Sequence, residues 1–174
     1  MGIPNILTLL RIFLTPLYAI VFFSNSKYNL YYATLIFFIA GITDVLDGTI
    51  ARKYNIITKW GTFFDPFADK LMLLTALSCL TAAHIIPVWI IITIAIKEIL
   101  LVISGYTVFR KGTLIPSNKF GKAASALFSV SMLILVLNQK LGIYIMYISV
   151  LAAIVALFSY LKTIFQKLNQ LNKQ

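Results

Sequence analysis

Four of the chain's five acidic residues fall between positions 44 and 69. They stand in the run Asp44-Val-Leu-Asp47-Gly48-Thr-Ile-Ala51-Arg52 and, after eight further residues, in Gly61-Thr-Phe-Phe-Asp65-Pro-Phe-Ala-Asp69. Each pair is embedded in strongly apolar sequence, where an ionised carboxylate is costly and marks function. Asp44 and Asp47 are three apart and Asp65 and Asp69 four apart, so on helices each pair shares a face. A hairpin folded about the polar break at 54–58 brings Asp44 level with Asp69 and Asp47 level with Asp65. At ~1.5 Å rise per residue, all four carboxylates then stand roughly 7–15 Å from the turn. Carboxylates gathered so closely need cations between them. Oxygen-only ligation points to a hard divalent ion, Mg²⁺ or Mn²⁺, and four carboxylates are enough for two ions. The competing reading is a set of structural acids paired with Lys70, Lys97 or Arg11. It explains an antiparallel pair of carboxylate pairs poorly.

The elements that must position these residues follow from composition. At 174 residues the chain reads as one domain, 1–174. With 60% hydrophobic residues, 11% charged and a mean hydropathy of +0.93, it lies outside the soluble globular range. Apolar runs of about 18–24 residues recur. They predict an all-α polytopic membrane protein with six transmembrane helices, roughly over 8–24, 30–52, 60–82, 86–109, 119–138 and 142–164. A short N-terminal interfacial segment over 2–10 precedes them, and Arg11, near the point of entry, is expected to snorkel to the headgroups. The runs lack the alternation of a membrane β-barrel. No basic region precedes the first run, and Ser24-Asn-Ser-Lys27 lacks a small-x-small cleavage pattern, so the first span is expected to be retained. Cys79 excludes an intrachain disulfide and reads as a small core hydrophobe.

The formal net charge is +10, but the bases sit at the ends of apolar runs. That placement suits anionic lipid headgroups and loop topology, and not nucleic acid. One set of connections holds Lys27 and Lys140. The other holds Arg52, Lys53, Lys59, Arg110, Lys111, Lys119, Lys122, Lys162, Lys167 and Lys173. This bias predicts a multi-pass protein of the cell membrane with both termini and the aspartate hairpin facing the cytoplasm. His84 then falls on the opposite side and reads as a surface histidine. Four bases in the stretch 110–122 either fix topology or cradle a substrate phosphate, and the two roles are compatible. Pro66 cannot donate to the carbonyl of Thr62, which makes either a kink or the lining of a polar cavity. Gly48 and Gly61 allow a ligand or the facing helix to approach. Glu98, the remaining acid, is expected to pair with Lys97, or else with Arg11 or Lys70.

The pattern D-x2-D-G-x2-A-R-x8-G-x3-D-x3-D, met by Asp44, Asp47, Gly48, Ala51, Arg52, Gly61, Asp65 and Asp69, resembles the signature of the CDP-alcohol phosphotransferase family. The opening Ile3-Pro-Asn-Ile-Leu-Thr-Leu-Leu-Arg11, the stretch Ala68-Asp-Lys-Leu71 and the six-span layout are similar to phosphatidylglycerophosphate synthases. The resemblance implies transfer of a phosphatidyl group from CDP-diacylglycerol to an alcohol, with release of CMP. It further implies metal ligation by Asp44, Asp47 and Asp65, with Asp69 as general base and a further contact to metal. By the same resemblance, nucleotide binding involves Asp44, Asp47, Gly48, Ala51, Arg52 and Gly61, and the assembly is a homodimer. Glycerol 3-phosphate is the implied acceptor, its phosphate suited to Arg110, Lys119 and Lys122. Two departures stand out: Lys97-Glu98 replaces the common Arg-Glu, and Gly121-Lys-Ala-Ala-Ser125 the common Gly-Lys-x-Lys-Thr. Pro116-Ser-x-x-x-Gly-Lys122 resembles instead cardiolipin synthases of the same family, which use phosphatidylglycerol. From a different class, an ion or proton transporter would use the carboxylates as a relay. The later spans add a single acid, Glu98, which does not complete its path. A catalytically silent scaffold fits poorly with an intact signature.

Overall fold

The computed structural model describes the backbone at 3–54, 59–110 and 119–171, and side chains at 8–45, 67–103, 120–164 and 166. Regular structure among the described residues is helical throughout: α1 (Ile3–Phe22), α2 (Asn29–Tyr54), α3 (Lys59–Ala82), α4 (Val88–Arg110), α5 (Lys119–Leu137) and α6 (Gln139–Leu171). Each apolar run of the sequence becomes one helix. The opening residues, expected as a separate interfacial segment, are helical from Ile3 and continuous with α1. Two compact units result, Met1–Pro87 and Val88–Gln174.

In the first unit α1 lies against both α2 and α3. Thr8, Arg11, Thr15, Tyr18 and Phe22 are buried while Leu9, Phe13, Leu17 and Ile20 are exposed. The buried set recurs every three or four residues, as one face of a helix must. Small residues on the partners, Ala33 and Ala40 of α2 and Ala68 and Ala76 of α3, let the backbones approach. The Thr15 hydroxyl donates to the Arg11 carbonyl at 3.0 Å and lies 3.7 Å from the Met72 sulfur of α3. Between α1 and α2, the Asn29 amide donates to the Phe22 carbonyl at 2.8 Å, occupying one of the acceptors a helix C-terminus leaves open. The end of α3 is a Schellman turn: Ile85 N–H donates to Leu80 O and His84 N–H to Thr81 O, both at 3.0 Å. His84 occupies the left-handed position of that turn, with φ 55°, and is exposed, as expected of a surface histidine.

In the second unit α5 and α6 form a tight hairpin. Asn138 caps α6, its side-chain oxygen accepting from Leu141 N–H at 3.2 Å. A Cβ on Gly142 would stand 2.4 Å from the Leu135 Cα, so only glycine permits this approach of α6 to α5. Against α6, α4 buries Ile90, Ile94 and Glu98, and Trp89 stacks on Tyr147 with ring centroids 5.6 Å apart.

Among the described residues, two helical stretches, Phe120–Leu137 and Gln139–Ile164, are long and apolar enough to cross a membrane. Shorter apolar stretches occupy Thr8–Phe22 and Asn29–Val45. Large apolar side chains are exposed on every helix, Phe13, Ile42, Phe67, Val102, Leu133 and Phe158 among them. Water is a poor solvent for such a surface, whereas a lipid bilayer matches it.

Candidate active site on α2 and α3

Both aspartate pairs lie on helix backbone. Asp44, Asp47, Gly48, Ala51 and Arg52 belong to α2; Gly61, Asp65 and Asp69 belong to α3. With α2 ending at Tyr54 and α3 beginning at Lys59, Asp44 and Asp69 each stand about ten residues, or ~15 Å, from the same connection. The side chains of Asp47, Gly48, Ala51, Arg52, Gly61 and Asp65, and the turn at 55–58, lie outside the described residues. At Pro66 the backbone of α3 stays helical.

Asp44 is held by Arg11. The guanidinium Nη1 lies 2.7 Å from Asp44 Oδ1, and the Arg11 side chain is 1% exposed against 43% for Asp44. The expectation that Arg11 snorkels to the headgroups is therefore corrected. Position 11 falls on the face of α1 turned toward α2 and α3, not on its lipid-facing side. There a buried guanidinium is stabilised by a carboxylate across the helix interface. The polar spacing Thr8, Arg11, Thr15 was the available sequence signal, since those residues share one helix face.

Asp69 is 55% exposed, and Lys70 Nζ stands 3.8 Å from its Oδ2. An exposed pair at that distance contributes little stability. Two of the structural pairings of the competing reading thus occur, Arg11 with Asp44 and Lys70 with Asp69. Neither buries its carboxylate, and Asp69 stays accessible to a reactant. Lys97 serves Glu98 instead, Nζ to Oε1 at 2.6 Å, as the sequence led us to expect.

Among the described residues, no group of three His, Cys, Asp or Glu side chains converges; of the four aspartates, the side chains of Asp44 and Asp69 fall within that description. Those two present accessible carboxylate oxygens from adjoining helices, which is the donor chemistry a hard divalent cation takes. In the second unit Arg110 ends α4 and Lys119 opens α5, with their side chains outside the described residues. Lys122 is exposed near the start of α5.

The family model for CDP-alcohol phosphatidyltransferase matches residues 1–156. The CDP-diacylglycerol–glycerol-3-phosphate 3-phosphatidyltransferase of Rickettsia felis is 31% identical over 172 residues, covering 92% of this chain and 94% of that one. A probable phosphatidylglycerophosphate synthase of Mycobacterium tuberculosis is 32% identical over 159 residues, covering 90% and 76%. The Haemophilus influenzae protein bearing the same name as the Rickettsia one is 45% identical over 91 residues, a match that spans 52% of this chain and 49% of that protein. An all-helical chain that sets both aspartate pairs on adjoining helices, and matches the family from its first residue to position 156, belongs to the CDP-alcohol phosphatidyltransferase family.

Proposed function

We propose that this protein transfers the phosphatidyl group of CDP-diacylglycerol to glycerol 3-phosphate, forming phosphatidylglycerophosphate and releasing CMP. The observation that carries the reading is the uninterrupted aspartate signature on α2 and α3, in a chain whose near full-length relatives bear the name of that activity. In the reaction a hydroxyl oxygen of the acceptor bonds to the phosphatidyl phosphorus. The bond from that phosphorus to the bridging oxygen of CMP breaks, and CMP leaves with the electron pair. Asp69, exposed beside Lys70, takes the hydroxyl proton as general base. Asp44, Asp47 and Asp65, with Asp69 adjoining, would hold Mg²⁺ or Mn²⁺, two ions for four carboxylates. That metal supplies neutralisation of the pyrophosphate and of the charge developing on the leaving group. Gly48, Ala51 and Gly61 leave room for the cytidine, and Arg52 pairs with a nucleotide phosphate. Arg110, Lys119 and Lys122 offer charge to the phosphate of the acceptor. Apolar helix faces accommodate the diacyl chains.

The six helices are proposed to span the cell membrane, with the aspartate hairpin and both termini on the cytoplasmic side, where the excess of Lys and Arg lies. A soluble, anionic acceptor would reach the site from that side. The working assembly is proposed to be a homodimer.

CMP release tests the reading: purified protein in detergent receives CDP-diacylglycerol, Mg²⁺ or Mn²⁺, and a panel of acceptors. Activity with glycerol 3-phosphate is expected, and Asp69→Asn abolishes it while the protein elutes as a folded species. Activity with phosphatidylglycerol alone would make the protein a cardiolipin synthase. Metal-driven ion flux without CMP would make it a transporter.

A further inference from the structure

We propose that Arg11 is a positioning residue, whose buried guanidinium fixes the carboxylate of Asp44 in the orientation the site requires. This rests on the phosphatidyl-transfer reading and adds to it a residue outside the aspartate signature. Arg11 carries the one charge of α1, and it is buried at the helix face that meets α2 and α3. Its side chain is 1% exposed while Asp44 remains 43% exposed. The guanidinium therefore touches the aspartate and has no surface left for a substrate. Thr15, one turn on, binds the Arg11 carbonyl at 3.0 Å and packs on Met72 of α3, so the α1 backbone that carries the guanidinium is itself anchored. An aspartate has two free torsions. A guanidinium nitrogen held 2.7 Å from Asp44 Oδ1 by a packed helix removes part of that freedom before any ligand arrives.

The sign of one measurement separates positioning from plain electrostatics. A cation beside a cation site repels the incoming ion, so losing Arg11 would tighten metal binding if charge alone mattered. Losing the group that orients a carboxylate weakens binding, commonly by about 10–100-fold. Arg11→Met and Arg11→Lys are prepared as full-length protein in detergent. Mn²⁺ binding is titrated by the electron paramagnetic resonance signal of the free ion, and kcat and KM are taken from CMP release. For Arg11→Met we expect Mn²⁺ bound at least ~10-fold more weakly and kcat lowered about 100-fold, with KM for glycerol 3-phosphate changed less than ~3-fold. Arg11→Lys keeps the charge without the planar, rigid guanidinium and is expected between wild type and Arg11→Met in both readouts. Should Arg11→Met not fold, Arg11→Lys decides, with weaker Mn²⁺ binding and lower kcat expected in protein of wild-type elution. Unchanged or tighter Mn²⁺ binding, or an unchanged kcat, in the deciding variant overturns the proposal. A wild-type protein that neither binds Mn²⁺ nor releases CMP would instead overturn the underlying functional reading.

Discussion

Asp44 and Asp69 differ in what surrounds them, and the difference separates catalytic from structural effects. Asp44 neutralises a guanidinium that is 1% exposed; removing the carboxylate leaves a buried positive charge without that neutralisation. For a fully buried pair this costs ~3–5 kcal/mol, and about 2–3 kcal/mol is the expectation here because Asp44 is itself half exposed. Asp69 has Lys70 at 3.8 Å with both groups open to solvent, so Asp69→Asn is expected to cost less than ~0.5 kcal/mol. Thermal unfolding in detergent therefore ranks Asp44→Asn well below wild type and Asp69→Asn beside it, while CMP release is lost in both. Equal unfolding temperatures for the two variants would contradict the contrast. The sequence announced both aspartates through their spacing and apolar setting. Arg11 was misplaced because one basic residue near a helix end looks the same whether it faces lipid or a neighbouring helix. Only the packing of α1 against α2 and α3 distinguishes the two.

At the scale of the element, two glycines at helix positions carry opposite expectations. Gly142 faces Leu135 across the α5–α6 hairpin, where a Cβ would stand 2.4 Å from the Leu135 Cα. Backbone must move to admit it, so Gly142→Ala is expected to destabilise the protein by about 1–3 kcal/mol. Gly121, in the first turn of α5, would meet nothing within 4 Å. Gly121→Ala there gains helix propensity, up to about 1 kcal/mol. The two unfolding temperatures, measured side by side, should straddle that of wild type. Helix existence was legible throughout, because runs of continuous apolar residues leave the backbone no better way to satisfy its polar groups in lipid. The details at the ends were not. The span expected over about 8–24 matches the apolar stretch Thr8–Phe22, but the helix that carries it already begins at Ile3, since polar residues in a first turn are compatible with helix. The cap by Asn138 and the left-handed His84 depend on hydrogen bonds that only the assembled turns reveal.

For the whole molecule, the distribution of Lys and Arg makes the membrane orientation testable without any structure. In a background with Cys79 replaced by serine, cysteines introduced at Lys27 and at Lys140 are expected to react with an impermeant maleimide on intact cells. One introduced at Lys173 is expected to react only after permeabilisation. The reverse pattern would place the aspartate hairpin outside and remove its access to cytosolic substrates. The sequence alone determined the helical class, the number of helices, the placing of both aspartate pairs on neighbouring helices and the family. Each of these depends on residue type and linear spacing, and burial cost and helical geometry turn spacing into position with few alternatives. Tertiary structure decided the partner of Arg11, which is Asp44 across two helices, whereas the pairing of Lys97 with its neighbour Glu98 was already legible in the sequence. Partner choice depends on which helix faces meet and at what depth. Those are properties of packed side-chain shape, which no spacing along a single chain encodes.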